Sequence, residues 1–381
     1  MRFAPLSVLA VAALLLGAET TQPADGDAAA ETTQPAPEAP DAQLVPTDGV
    51  PVDLPRDIVL TWTDDTPVSE ILQALGEPRP DHWREPSPDL AKAGEEIFRL
   101  GSTTGPDGKP TKKVARAFEC TDCHNTVRED PDLRVSDPEA RLAYAVENDL
   151  PFLPGTTVFG IVDRNSWFND DYVKKYGDWV KPANESLVEA TQLCSKECSQ
   201  GRHLTEWEMD AVLTYFWTLG LRWADLADEG ITLAEAEAAF RIGEPEGKAK
   251  ALAAVRAKFL PKSPATFTEL PAEYGKDGPG YGLDGDPERG RELYTRSCMH
   301  CHDSGGAAFH RFRDKKGAYR TLHGSSGAKN IESYYFVIRH GTKPAFDKYM
   351  PLFPQERMSD QQVEDLRAWI SQEATRKGKR P

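Results

Sequence analysis

Two short stretches decide the fold of this chain: Cys120-Thr-Asp-Cys123-His124 and Cys298-Met-His-Cys301-His302. Each is a C-x-x-C-H motif, the spacing that attaches c-type haem. Two thiols add across the two vinyl groups of a porphyrin, and the histidine after the second thiol is placed to bind the iron from one side. The sequence therefore predicts two covalently bound haem c groups, with His124 and His302 as iron ligands.

Cysteine pairs at this spacing also occur in zinc sites and in disulfide frameworks. The chain has 6 cysteines, and an even number in an exported protein is typical of disulfides. The histidine that follows each pair favours haem, and so do the similar surroundings of the two motifs.

Helix signals precede and follow each motif in the same order. Ser87 and Asp286 are each followed by proline, which is typical of an N-cap residue with proline at the first helical position. Downstream, the stretches 205–208 and 359–362 have the pattern of capping boxes that open amphipathic helices. We therefore expect a helix before each motif and a closing helix after it.

This order of elements resembles that of class I cytochromes c. In that fold the first and last helices cross closely, which the small Gly94 and Gly290 would permit opposite Tyr215 and Trp369. The resemblance implies a mainly α fold class, with two tandem cytochrome-c-like haem domains joined by a partly helical linker.

The remaining segments give the expected organisation. Residues 1–18 have the basic start, apolar run and small residues of a signal peptide. They predict a periplasmic or otherwise exported protein. The protein would be anchored in the membrane only if this segment stays uncleaved. Residues 19–50 form an acidic Pro/Ala/Thr-rich stretch and are expected to be a disordered spacer. We then expect a first cytochrome c domain with an N-terminal extension at 51–228, a helical connector and linker at 229–280, and a second cytochrome c domain at 281–381.

The second haem has an evident candidate for its other axial ligand. The stretch Tyr349-Met350-Pro351 resembles the loop by which class I cytochromes c present a methionine thioether to iron. Met350 is therefore the expected ligand, and Met358 is expected to pack under the last helix. Ligation by histidine and methionine tends to raise the potential of the iron, which suits an electron carrier.

The first haem differs, because no methionine lies between its motif and the closing helix. The candidates from the equivalent segment are Cys194, Cys198, Lys196 and His203. A disulfide between Cys194 and Cys198 competes with ligation, since cysteines four apart on a helix can sometimes reach each other and an exported protein retains such bonds. A thiolate ligand would lower the potential of this haem below that of the second.

The stretch from Glu185 to Tyr215, with Cys194, also resembles the dihaem thiosulfate dehydrogenases. That family's iron-binding cysteine falls on Cys194, so the resemblance implies a catalytic Cys194. This chain departs from the family at Glu197, where an arginine is frequent, and at Cys198, where a serine is usual. An acidic side chain in that place works against binding a dianion.

Charge and motifs together predict the function classes. A formal net charge of -16 disfavours nucleic acid and favours basic redox partners such as small cytochromes. We expect a dihaem c-type cytochrome that transfers electrons in the periplasm. One alternative is a thiosulfate dehydrogenase-like oxidoreductase, a cytochrome-dependent sulfur enzyme that turns a small sulfur anion, thiosulfate, into tetrathionate at a Cys-ligated first haem. Another is a haem subunit of a larger respiratory or sulfur-oxidising complex.

Overall fold

Helices make up the regular structure of the described residues in this computed structural model. Those residues are 61–116, 118–273, 278–302, 319–320, 322–324, 334–342 and 350–376. The predicted signal peptide and spacer lie outside them. The chain divides into Met1–Val50 and Pro51–Pro381, and the second part is one compact unit.

The architecture is mainly α, as predicted, and no strand longer than an isolated bridge occurs among the described residues. The helices are α1 (Val68–Leu75), α2 (Pro88–Leu100), α3 (Pro138–Glu147), α4 (Asp171–Tyr176), α5 (Pro182–Glu185), α6 (Leu187–Leu193), α7 (Glu206–Thr218), α8 (Leu233–Ile242), α9 (Pro245–Arg256), α10 (Pro287–Leu293), α11 (Met299–His302), α12 (Tyr334–His340) and α13 (Asp360–Thr375). In the described part of the chain, no helix is long and apolar enough to cross a membrane.

The predicted helix starts are confirmed. Ser87 and Asp286 cap α2 and α10 with their side chains, and each is followed by proline. Thr205 and Ser359 open α7 and α13 in reciprocal capping boxes. Each box satisfies backbone N–H groups that have no partner inside the helix, so these short polar side chains fix where both closing helices begin.

Two close helix crossings shape the structure: α2 with α7, in what is termed here the first half, and α10 with α13, in the second half. The glycine predicted for each crossing is confirmed. A Cβ atom on Gly94 would lie 2.0 Å from the Ala211 carbonyl oxygen and 3.0 Å from the Tyr215 Cβ atom. A Cβ atom on Gly290 would lie 2.0 Å from the Asp365 carbonyl oxygen and 2.8 Å from the Trp369 Cβ atom. Only glycine allows α2 to approach α7, and α10 to approach α13, at these distances.

The apolar side chains collect in three clusters. The first surrounds the α2–α7 crossing and also contains Trp167 of the loop after the first motif. The second surrounds the α10–α13 crossing, and it also takes Leu142, Ala145 and Phe152 from α3 and the loop after it. A part of the chain between the first haem motif and α4 therefore completes the core of the second half.

The third cluster joins the N-terminal extension to the connector. Val68 and Ile71 of α1 pack with Ala251 and Val255 of α9, and Leu221 belongs to the same cluster. The Val68 N–H donates to the Leu221 carbonyl oxygen at 2.8 Å, so the extension contacts the expected first domain as well as α8 and α9. Each of these short helices has an apolar face to bury.

We predict that Gly94→Ala destabilises the protein by about 1–3 kcal/mol or more, because the added methyl group overlaps the α7 backbone. Gly247→Ala is the matched control: this glycine is also helical, and its Cβ would meet only Glu244 Cβ at 4.0 Å. The control should be neutral or stabilising by up to about 1 kcal/mol. Urea unfolding followed by circular dichroism measures both, and equal stabilities would contradict the crossing.

Candidate haem sites

The first motif begins in a short helical turn, Cys120–Asp122. Asp122 closes this turn by accepting a hydrogen bond from the Glu119 backbone N–H at 2.8 Å. The turn presents Cys120 to the core around the α2–α7 crossing, and His124 follows it directly. The local fold thus directs the attachment cysteines and the histidine toward the interior of the first half.

One backbone carbonyl fixes the orientation of His124. Its Nδ1–H donates a hydrogen bond to the Thr156 carbonyl oxygen at 2.7 Å. Because a carbonyl can only accept, a proton sits on Nδ1, and Nε2 is the nitrogen that could bind a metal. Although burial opposes it, the Cys194 sulfur beside Nε2 raises the pKa of His124, so a bound metal would replace the proton on Nε2. Gly155 allows this approach, since a Cβ there would lie 2.6 Å from His124 Cε1.

The structure brings Cys194 to the free side of this imidazole. Cys194 Sγ lies 3.8 Å from His124 Nε2. Metal–imidazole and metal–thiolate bonds measure about 2.0 Å and about 2.3 Å, so two such bonds in line span about 4.3 Å. The observed sulfur–nitrogen distance is about half an ångström shorter than that span, so His124 and Cys194 are the residues that could hold a haem iron here.

Electrostatics separates Cys194 from the other cysteines. Its pKa is well below the usual range, because the Cys198 thiol hydrogen-bonds to it and His124 faces it, and together these outweigh burial. The pKa of Cys198 is correspondingly raised by the same hydrogen bond and by burial. Burial also raises the pKa of Cys298 to about 12 and that of Cys301 to about 11. Only the thiolate binds metal well, so Cys194 has the character of a ligand.

The other candidates near the first motif are placed differently. Lys196 and His203 are exposed to solvent, and Cys198 is the hydrogen-bond partner of Cys194. All 6 cysteines are free, so Cys194 and Cys198 form no disulfide. Among the described residues, no group of three or more His, Cys, Asp or Glu side chains could hold a metal ion.

The second motif continues from α10 through a wide helical turn, Tyr294–Cys298, into α11. Cys298 packs against the core around the α10–α13 crossing. Burial lowers the pKa of His302 to about 4, so its imidazole is neutral and able to bind metal at pH 7. The side chain of His300 lies outside the described residues.

Met350 and Met358 lie in different surroundings, and the packing role expected for Met358 is confirmed. Met350 packs against the second core while half-buried, and its backbone N–H donates to Thr342 Oγ1 at 2.7 Å. Met358 is 1% exposed and lies inside that core. Met358 is thus a packing residue, whereas Met350 is held at the edge of the core that contains Cys298.

The two motifs adjoin. Burial raises the pKa of Cys123 well above its usual value, and the nearby sulfurs of Cys194 and Cys301 raise it further. Residues 150–157, termed here the shared loop, run between the motifs: Phe152 N–H donates to the Arg296 carbonyl at 3.0 Å. Arg296 precedes Cys298 by two positions, so one loop contacts the approaches to both motifs.

A buried ion pair supports the same loop. Arg357 donates from both terminal nitrogens to the Glu129 carboxylate, at 2.5 and 3.0 Å. This pair, Gly155 and Thr156 were not among the residues predicted from the sequence. The Pro154-Gly155 dipeptide is a loop signal that could have drawn attention to the segment, but nothing in the sequence pairs residues 129 and 357.

Comparison with known proteins assigns one part of the chain. Residues 285–370 match the family described as cytochrome C oxidase, cbb3-type, subunit III. This stretch contains the second motif and Met350, and the match supports a cytochrome c domain with covalently bound haem c and haem-based electron transfer. No curated protein and no solved structure matched the chain.

We predict that Gly155→Ala disturbs the first site, because its methyl group would overlap His124. In the haem-loaded protein, the altered imidazole should change the low-spin electron paramagnetic resonance (EPR) signal of one haem and leave the other unchanged. Gly247→Ala, on α9, is the control and should leave both signals intact. Identical spectra for Gly155→Ala and the wild type would contradict the role of Gly155.

The buried carboxyl group of Asp130 should make the stability of the protein depend on pH. Burial and the neighbouring Glu129 raise the pKa of Asp130 to about 6, and its Oδ1 is buried without a hydrogen-bond partner. A raised carboxyl pKa means that the folded state resists ionisation, so stability from this group is lost as the pH rises from about 4 through about 6.

Asp130→Asn should therefore raise the melting temperature by about 2–5 °C at pH 7.5 and leave it nearly unchanged at pH 4. Differential scanning calorimetry at both values checks this. The exposed Asp228→Asn is the control and should have little effect at either pH. A gain for Asp130→Asn that is equal at both pH values would refute the assignment.

Proposed function

We propose that this chain is a dihaem c-type cytochrome of the periplasm that relays single electrons between its two haems and outside partners. Cys120 and Cys123 would attach the first haem, and Cys298 and Cys301 the second. The observation that carries the proposal is the contact of the two motifs through the shared loop, with the Phe152 N–H bonded to the Arg296 carbonyl at 3.0 Å. Electron transfer needs the two centres close together, and this contact supports such proximity.

The axial side chains would set the direction of transfer. When bound, each haem supplies an iron that gains and loses one electron. The Cys194 thiolate would favour the oxidised state of the first iron, because an anionic sulfur donates electron density. The Met350 thioether would favour the reduced state of the second. Electrons would therefore pass downhill from the first haem to the second.

The partner of this relay would be a basic protein. The formal net charge of -16 attracts cationic surfaces at long range and speeds their encounter. Small basic cytochromes fit that description. Added salt should slow the exchange, because it screens this attraction.

A thiosulfate dehydrogenase-like activity is the second candidate, and the 3.8 Å approach of Cys194 to His124 favours it. Such an enzyme needs an exchangeable thiolate and a cationic pocket. Glu197 is exposed, so its charge is screened by solvent, and Arg202 is taken by Glu208 at 2.6 Å. The thiolate requirement is supported, whereas the pocket requirement lacks a free arginine at these positions.

A role as a subunit is the third candidate. The family that matches residues 285–370 is named for a subunit of a cytochrome c oxidase. That name supports a place beside a respiratory complex, where the chain would pass electrons onward.

Haem counting tests the main proposal. The wild type should carry two haems per chain by pyridine haemochrome assay and intact mass. The double variants Cys120→Ser/Cys123→Ser and Cys298→Ser/Cys301→Ser should each carry one. The two variants serve as controls for each other, and a wild type with a single haem would refute the proposal.

Replacing Cys194 separates enzyme from relay. If the first haem oxidises thiosulfate, Cys194→Ala should lose at least about 100-fold of the thiosulfate-dependent reduction, as expected when an essential group is removed. Cys198→Ser keeps a hydrogen-bond donor beside Cys194 and should retain most of the rate. Thiosulfate-dependent reduction that is unchanged by Cys194→Ala would exclude Cys194 as the site. If thiosulfate does not reduce the wild type, the enzyme candidate is refuted and the electron relay remains.

A further inference from the structure

We infer that Arg357, from the half of the chain that holds the second haem, is a positioning residue for His124 and thereby tunes the potential of the first haem. This inference rests on the proposed function, since it requires a haem at each motif. Arg357 follows Met350 by seven positions. Its charge acts on His124 at longer range, whereas its hydrogen bonds reach Glu129 and the shared loop, and the positioning of His124 passes through these bonds.

Glu129 holds the loop at the residue next to Thr156. Its Oε1 accepts a hydrogen bond from the Thr157 backbone N–H at 2.9 Å. Its Oε2 accepts one from the Asn125 side-chain amide at 2.9 Å, and Asn125 directly follows His124. One carboxylate thus bonds both to the residue after His124 and to the residue after Thr156, whose carbonyl orients the imidazole.

Arg357 holds the same assembly from the other half. It forms two hydrogen bonds with the Glu129 carboxylate and donates a third to the Leu153 carbonyl oxygen at 2.8 Å. Arg141 lies on the same carboxylate at 3.7 Å and donates to the Arg357 carbonyl oxygen. Both arginines and Glu129 are buried, so solvent cannot replace any of these contacts.

The buried Glu129 carboxylate depends on the positive charges of its arginine partners. Burial opposes ionisation of Glu129, but Arg357 and Arg141 outweigh burial and lower its pKa to about 2. Without Arg357, the carboxylate would stay buried with Arg141 at 3.7 Å and the charge of Arg164 at longer range, and it would lose both of its arginine hydrogen bonds. A buried charge that loses its partner makes its surroundings rearrange. The first groups to move would be those that Glu129 holds, Thr157 and Asn125.

Such movement reaches the iron through the hydrogen bond on His124. The Thr156 carbonyl accepts the Nδ1 proton at 2.7 Å, which makes the imidazole more electron-rich and a stronger ligand. An electron-rich ligand favours the oxidised iron. A longer bond to Thr156 would weaken this effect, so the potential of the first haem should rise.

The experiment compares Arg357→Gln and Arg357→Lys with the wild type, each as full-length protein with its haems attached. Spectroelectrochemical titration gives both midpoint potentials, and low-temperature EPR gives the low-spin signal of each haem. Arg357→Gln also removes a buried cation whose charge acts on His124, and that loss alone would lower the first potential, so we expect it to alter the first signal and to shift the potential by the sum of two opposed effects. We expect Arg357→Lys to shift the first potential upward, because lysine keeps the charge but cannot bond both Glu129 oxygens and Leu153 at once.

Arg367→Gln is the matched control. Arg367 also lies in the second half and pairs with a buried carboxylate, Glu364 at 3.1 Å, and it donates to the Tyr335 hydroxyl at 2.8 Å. Its hydrogen-bond partners are Glu364, Tyr335 and Gly278, and none of them belongs to the shared loop. Its replacement should therefore leave the first potential and signal unchanged.

The outcomes separate this inference from the proposed function. One haem per chain in the wild type refutes the proposed function. Two haems per chain, with a first potential and signal that are the same in Arg357→Lys, Arg357→Gln and the wild type, refute the role of Arg357 alone. If Arg357→Gln does not fold, Arg357→Lys decides the question, because an upward shift supports the inference and an unchanged potential overturns it.

Discussion

The ion pair between Glu129 and Arg357 is the interaction on which the arrangement of the two motifs depends. It joins residues 228 positions apart and lies where the two halves of the structure meet. The shared loop, 150–157, is hydrogen-bonded to both members of the pair, through Thr157 to Glu129 and through Leu153 to Arg357. At one end the loop bonds to Arg296, just before the second motif, and near the other it bonds to His124 of the first.

The two sites nevertheless differ in chemistry. The first pairs His124 with a sulfur whose pKa is lowered by its surroundings, and it adds Cys198 as a second thiol beside that sulfur. The second has a neutral His302, and Met350 lies at the edge of the core against which Cys298 packs. As axial ligands, such unequal side chains would give the two proposed haems unequal potentials. The contact between the motifs would then let electrons pass in one direction, and the second haem would accept electrons released at the first.

The parts of the structure that depend on local chemistry could be predicted from the sequence. The helix caps at Ser87 and Thr205 follow from side chains that satisfy nearby backbone groups, and Gly94 marks a crossing because no other residue fits there. Long-range features could not be predicted in this way. The Leu142 side chain completes the core of the other half, and Arg357 pairs with Glu129, through contacts that no sequence spacing encodes. The Thr156 carbonyl was missed because every residue has one, and only the folded loop singles it out.

The most direct test of this account is the low-temperature EPR spectrum of the oxidised, fully haem-loaded wild type. We predict two low-spin ferric signals of equal intensity, one with the narrow spread of g values typical of histidine–thiolate ligation and one from a centre without thiolate. Two signals that both lack thiolate character would contradict Cys194 as a ligand, and with it the unequal pair of haems.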